Sequence, residues 1–130
     1  MRFRYKKYAK LLRPVIPIKV KNGSRSVYYE VLVDSGADIC IFDSEIGDLL
    51  NIDYRKGERK LVGGVAGQVA EYFLFPVEIE VGGHTYKITA GFLPNVAGGS
   101  NYGLVGQVGL FDKFVVKFDL LKEEIELKQR

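Results

Sequence analysis

Val31-Leu32-Val33-Asp34-Ser35-Gly36-Ala37-Asp38 is the one place in the 130-residue chain where an apolar run ends in Asp-Ser-Gly, and Ile39-Cys40-Ile41-Phe42 follows directly. Val31, Leu32 and Val33 are too continuous for a half-exposed surface and predict a strand buried on both faces. A carboxylate at the end of such a strand is poorly solvated. Burial disfavours its charged form unless hydrogen bonds hold the anion, and Ser35 Oγ and the nearby backbone N–H groups are the available donors. Gly36 lets the chain turn tightly there. An acid at the mouth of a rigid turn is a common preparation for general acid/base chemistry. Asp, Ser and Gly also punctuate ordinary strand-to-turn junctions, so the triplet alone leaves a plain capping role open.

A second signal lies downstream. Asn101-Tyr102-Gly103-Leu104-Val105-Gly106-Gln107-Val108-Gly109-Leu110-Phe111 reads as a short strand of two apolar residues and a glycine, then a brief helix over 107–111. Asp34-Ser35-Gly36-Ala37 and Leu104-Val105-Gly106, in that order and spacing, resemble the retropepsins, the single-lobed aspartic proteases of retroviruses and their cellular relatives. Lys60-Leu61-Val62-Gly63-Gly64-Val65-Ala66-Gly67 resembles that family's glycine-rich flap, and Val77-Glu78-Ile79-Glu80-Val81-Gly82-Gly83-His84 the strand and turn after it. Arg13-Pro14-Val15-Ile16-Pro17-Ile18-Lys19-Val20 resembles its early strand, so the likeness runs from about Arg13 to about Phe118. The resemblance implies an all-β, single-lobed closed barrel or sandwich with a flap hairpin and one or two short helices. It divides the chain into a basic arm over 1–12 and a protease domain over 13–130.

Aspartic protease chemistry needs two carboxylates within hydrogen-bonding distance, and the chain has a single Asp-Ser-Gly. The resemblance therefore implies a homodimer in which Asp34 meets its own copy at a two-fold axis. Two like charges so close cannot both ionise cheaply, so the pair shares one proton and titrates as a unit, aspartic proteases being the standing illustration. By the same likeness, Asp34, Ser35 and Gly36 are catalytic. Leu32, Ala37, Asp38, Ile41, Val62, Gly63, Gly64, Val65 and Leu104 bind a peptide or protein substrate, with pockets that prefer apolar side chains. Gly63, Gly64 and Gly67 let the flap open and close. Asp34, Ser35 and Arg13 fall at the dimer interface, Arg13 matching an arginine that reaches the partner's carboxylate at the position of Asp38. No metal and no cofactor are implied. The alternative is a catalytically silent relative that binds peptide in the same groove.

Three departures from the family pattern bear on the dimer. Many retroviral members carry Gly-Arg where this chain has Gly106-Gln107, which removes an ion pair that braces the loop at Asp38. Ser35 stands for the commoner Thr and keeps the hydroxyl while losing a methyl. The tail over 118–128 runs past the usual retroviral end and resembles the closing hairpin of cellular lobes.

Composition agrees with this reading without selecting it. At 47% hydrophobic and 27% charged the chain is an ordinary globular protein, and 130 residues make one domain. Gly supplies 15 residues, above the typical ~7% and in keeping with many turns. One Cys and one His leave no internal disulfide and exclude a Cys/His protease, a serine triad or a zinc site; Cys40 in an apolar run reads as a packed, inert thiol. No run of ~18 apolar residues spans a bilayer and no signal peptide opens the chain, so the expected location is cytoplasmic. The first 29 residues carry nine Lys/Arg and no acid, leaving ten basic against 16 acidic groups elsewhere. A basic arm can attract nucleic acid, but Arg2-Phe3-Arg4-Tyr5 carries no recognised binding motif; a solvated terminus or a strand on the acidic C-terminal segment is favoured over a nucleic-acid adaptor.

Local signals predict strands over 13–20 and 27–34 joined through Lys21-Asn22-Gly23-Ser24, a short helix capped by Asp43 and running to about Leu50, and flap arms over 57–65 and 69–81. Pro76 argues for an edge or a bulge. A strand over 84–93 and a closing hairpin over 114–120 and 125–128 complete the pattern, with 94–100 left as a loop.

Overall fold

The computed structural model describes residues 1–63, 67, 69–94 and 102–130. In chain order its strands are β1 (Arg2–Arg4), β2 (Lys6–Tyr8), β3 (Leu11–Arg13), β4 (Val15–Asn22), β5 (Arg25–Val33) and β6 (Cys40–Asp43). Helix α1 (Ser44–Leu49) and a one-turn 3-10 helix (Tyr54–Lys56) follow. Then come β7 (Glu58–Gly63), β8 (Val69–Val81), β9 (His84–Leu93), β10 (Gly103–Val105), β11 (Phe114–Asp119) and β12 (Glu124–Gln129).

Six strands close into a barrel. The order β4-β5-β10-β6-β9-β8 returns to β4, with Lys19 opposite Glu80, Val20 opposite Ile79 and Lys21 opposite Glu78. Side chains alternate across each strand, so Ile16, Ile18 and Val20 of β4, Tyr29, Val31 and Val33 of β5, and Val77, Ile79 and Val81 of β8 fill the interior. An aromatic column continues the core: Tyr29 meets Phe42 edge-on at 5.6 Å, Phe42 meets Phe92 at 6.1 Å, and Tyr54 stacks on Phe92 at 5.4 Å. Outside, Lys21 Nζ reaches Glu80 Oε1 at 2.7 Å across the closing seam.

The turns follow their residues. Val81 lies opposite His84, so Gly82 and Gly83 form a two-residue loop, and both take the positive φ (56° and 86°) that a primed hairpin turn demands. Asp43 caps α1 by accepting the Glu45 N–H at 2.9 Å, and Glu45 and Asp48 face solvent. A second sheet, β1-β12-β11, leans on the barrel through buried Phe114, Ile125 and Leu127, with Tyr86 edge-on to Phe114 at 5.3 Å. The basic N-terminal strand thus pairs with the acidic C-terminal one, Arg2 Nε meeting Glu126 Oε2 at 2.9 Å. Strands β2 and β3 form a separate hairpin whose Tyr8 packs edge-on against Tyr102 at 5.1 Å.

Several local expectations need correction. Val31 and Val33 are buried but Leu32 is half-exposed, because β5 is one wall of a barrel with a single buried face. The early strand breaks at Pro14: Arg13 belongs to β3, and β4 begins at Val15. Asn22 is the last residue of β4, opposite Arg25, so the loop is Gly23-Ser24 and Gly23 takes the positive φ of 60°. Pro76, by contrast, keeps the edge position expected of it: it pairs with Thr89 on one side, and on the other it falls between the β7 ladder that ends at Leu74 and the β4 ladder that begins at Glu78. No helix forms over 107–111; hydrogen bonds from Leu110, Phe111 and Asp112 reach back four or five residues irregularly, and Gly109 sits at a φ of 123° outside helical space. Among the described residues no helix is long and apolar enough to cross a membrane.

Candidate active site

Asp34 follows the last residue of β5. Its N–H donates to Val105 O at 3.0 Å, extending the parallel β5–β10 ladder by one step, while the Val33 N–H donates to Pro14 O at 2.9 Å on the other side. Both neighbours of the strand end are therefore backbone, and Asp34 emerges half-buried from a fixed position. The chain then turns on itself. Ala37 N–H returns to Asp34 O at 3.2 Å, and the Gly36 N–H donates to Asp34 Oδ1 at 2.9 Å. The carboxylate is thus held by a backbone donor, whereas Ser35 is exposed.

A segment about seventy residues further on laces this turn from outside. Gln107 N–H donates to Ala37 O at 2.8 Å, Val108 N–H donates to Asp38 O at 2.9 Å, and Ile39 and Val108 form a parallel bridge. Gly106 makes that approach possible: a Cβ there would collide with Ala37 O and stand 2.6 Å from Ile39 O. Sequence reading missed one further bond, from Gln107 Nε2 to Ser35 O at 2.7 Å. A neutral amide thus touches the loop where the resemblance led one to expect the loss of a charged brace.

Beside the turn opens a cavity of about 540 Å³ lined by Ala37, Asp38, Ile39, Ile41, Lys60, Val62, Tyr72, Leu74, Leu93 and Leu104. Register explains its floor. Leu32, Leu104, Ile41, Gly91 and Leu74 lie opposite one another across five adjacent strands, on the barrel's outer face. A Cβ at Gly91 would stand 2.8 Å from both Ile41 Cδ1 and Tyr72 Cδ2, so the glycine leaves these side chains room to form the wall. Of the residues expected to bind substrate, Ala37, Asp38, Ile41, Val62 and Leu104 come together here; Leu32 belongs to the same row but does not line the cavity. Gly63 ends β7, and Gly64 and Val65 lie outside the described residues, as does 95–101. Gly67 is described, at a φ of 76°. Ile39, Lys60, Tyr72, Leu74 and Leu93 were not anticipated; Ile39 comes with the turn itself, and the other four reach the site only through the pairing of β7, β8 and β9.

Asp38 and Lys60 are the charged residues that line the cavity. Lys60 on β7 pairs with Glu58 at 2.9 Å, and that hydrogen bond raises its affinity for its proton. Arg13 ends β3 opposite Lys6, half-buried. Cys40 lies beneath the turn, wholly buried, and burial pushes its thiol up to about 11, which keeps it protonated and unreactive. Among the described residues no three His, Cys, Asp or Glu side chains converge as metal ligands would.

Comparison with known proteins places the family and the fold. The family model described as aspartyl protease matches residues 16–108. A solved structure of EIAV protease complexed with the inhibitor HBY-793 superposes with a TM-score of 0.55 over 78% of this chain and 88% of that one, at 22% identity, which shows a common fold. No curated protein matches the sequence.

Proposed function

Because the chain belongs to the aspartyl protease family, whose model spans residues 16–108, we propose that it is a homodimeric aspartic endopeptidase whose catalytic pair is two copies of Asp34. The supporting observation is the pairing of a laced Asp34 turn with an apolar cavity of about 540 Å³ at its side, which is half of such a site. A two-fold axis at the turn brings the second carboxylate and a second cavity. The pair holds one proton between two oxygens. The ionised member takes a proton from water, whose oxygen attacks the scissile carbonyl carbon, while the protonated member gives its proton to the carbonyl oxygen. Collapse of the resulting diol returns a proton to the leaving nitrogen and breaks the C–N bond, so one water is consumed and the pair is regenerated. Ser35 and Arg13 join the dimer contact.

The cavity selects the substrate. Ile39, Ile41, Leu74, Leu93 and Leu104 present an apolar surface, so cleavage beside large apolar side chains is expected. The β7–β8 hairpin, with Val62 and Tyr72 facing the cavity, serves as the flap over the bound peptide, and Gly63 and Gly67 ease its motion. A mass-resolved digest of a protein mixture at pH ~4 to 7, the range in which a shared-proton carboxyl pair is competent, tests the assignment. Run beside sedimentation analysis, it should show cleavage that rises with the dimer fraction and vanishes in Asp34→Asn. Cleavage that persists in Asp34→Asn, or a dimer that binds peptide without cutting it, overturns the proposal.

A further inference from the structure

The peptide group joining Ser35 to Gly36 is hydrogen-bonded at both ends. Its N–H points at the Asp34 carboxylate, at 2.9 Å from Oδ1, and its carbonyl receives the Gln107 side chain at 2.7 Å. A peptide unit is planar and rigid, so fixing the oxygen fixes the direction of the hydrogen. An amide oxygen cannot face a carbonyl oxygen at that distance, so the atom of Gln107 turned to Ser35 is the NH₂ donor. We propose that Gln107 is a positioning residue for Asp34, acting through the Ser35–Gly36 peptide: it holds the plane in register and polarises it, strengthening the Gly36 N–H as a donor to the carboxylate. The inference rests on the aspartic protease reading for its catalytic consequence, but the chain of bonds stands without it.

Three features make the relay more than a surface contact. Hydrogen bonds in series reinforce one another, because a donor at the carbonyl draws charge from the amide nitrogen and makes its hydrogen more positive. The acceptor at the far end is a carboxylate, where a bond of this kind is stronger than a neutral one. And the Gln107 backbone is itself immobilised by its own N–H on Ala37 O at 2.8 Å and by the close approach of Gly106, so the side chain starts from a fixed root. Within the single chain Ser35 and Gly36 are exposed, so their peptide is held by hydrogen bonds rather than by burial. The reach of the glutamine amide matches the Ser35 carbonyl.

Gln107→Met keeps the length of the side chain and removes the donor, and the exposed position tolerates it. In two-dimensional amide NMR of the full chain, the Gly36 proton should move upfield and exchange faster in the variant. The amides of Gln107 and Val108, which serve Ala37 and Asp38, should hold their positions. In peptide cleavage by the same protein, kcat should fall about fivefold with KM nearly unchanged, the size of one lost neutral hydrogen bond. A Gly36 amide that does not move overturns the inference, and so does one that moves while kcat stays the same. Should the unmutated protein cleave nothing, the protease reading fails, and the Gly36 amide alone then decides whether the relay exists.

Discussion

The Asp34 turn and the β7–β8 hairpin border the same cavity and are built in opposite ways. The turn is tied by backbone bonds to Val105, by the lacing of residues 106–108 and by a side-chain bond spanning 72 residues, with a glycine where any Cβ would collide. The hairpin pairs chain neighbours, from Glu58 opposite Leu74 to Gly63 opposite Val69, and among the described residues β7 has β8 as its sole partner. Leu61, Val62 and Val69 are exposed on it. Long-range ties make a segment open only with the whole fold, whereas a locally paired arm can separate at little cost. One side of the cavity is therefore held firmly, and the other is free to separate from it.

Substitutions should respect that contrast. Asp34→Asn is expected to give the largest effect, a loss of kcat of at least ~10² to 10⁴-fold with an unchanged melting curve, since Asn still accepts the Gly36 N–H; peptide cleavage and thermal unfolding measured together check it. Gly106→Ala drives a methyl into the Ala37 and Ile39 carbonyls and should cost ~1 to 3 kcal/mol in denaturant unfolding. A wild-type midpoint there would break the contrast, because the lacing would then be dispensable. Gly91→Ala presses on the ends of the Ile41 and Tyr72 side chains, which can yield; stability should drop less, while KM for peptides with bulky apolar side chains rises several-fold relative to small ones. The smallest change belongs to the hairpin. Leu61→Ala should shift unfolding by under ~0.5 kcal/mol, and a larger loss would mean that the arm is as firmly bound as the turn.

Much of this was legible in the chain, and the limits have a physical pattern. The strands over 69–81 and 84–93 on either side of Gly82-Gly83 were legible with their full extents, and Asp43 marked the start of α1, because each signal is local. The Asp34 turn and Leu104-Val105-Gly106 were found as separate motifs, and family likeness joined them. What the sequence hid is what depends on partners far along the chain. Gln107 to Phe111 looks helical until the bridge of Val108 to Ile39 and the φ of Gly109 are imposed on it. Leu32 reads as doubly buried because apolar continuity cannot distinguish a central strand from a barrel wall whose outer face is half-covered. The Gln107 amide carries no pattern at all, since a bond across 72 residues leaves no periodicity to detect.

If each active site draws one Asp34 from each of two chains, a mixing experiment reads that directly. Unmutated protein and Asp34→Asn are exchanged at constant total concentration, and cleavage is followed against the unmutated fraction. Random pairing should leave roughly a quarter of the activity at equal amounts, a square-law fall. A straight line, with half the activity remaining, would mean that each chain works alone and that Asp34 does not meet its own copy.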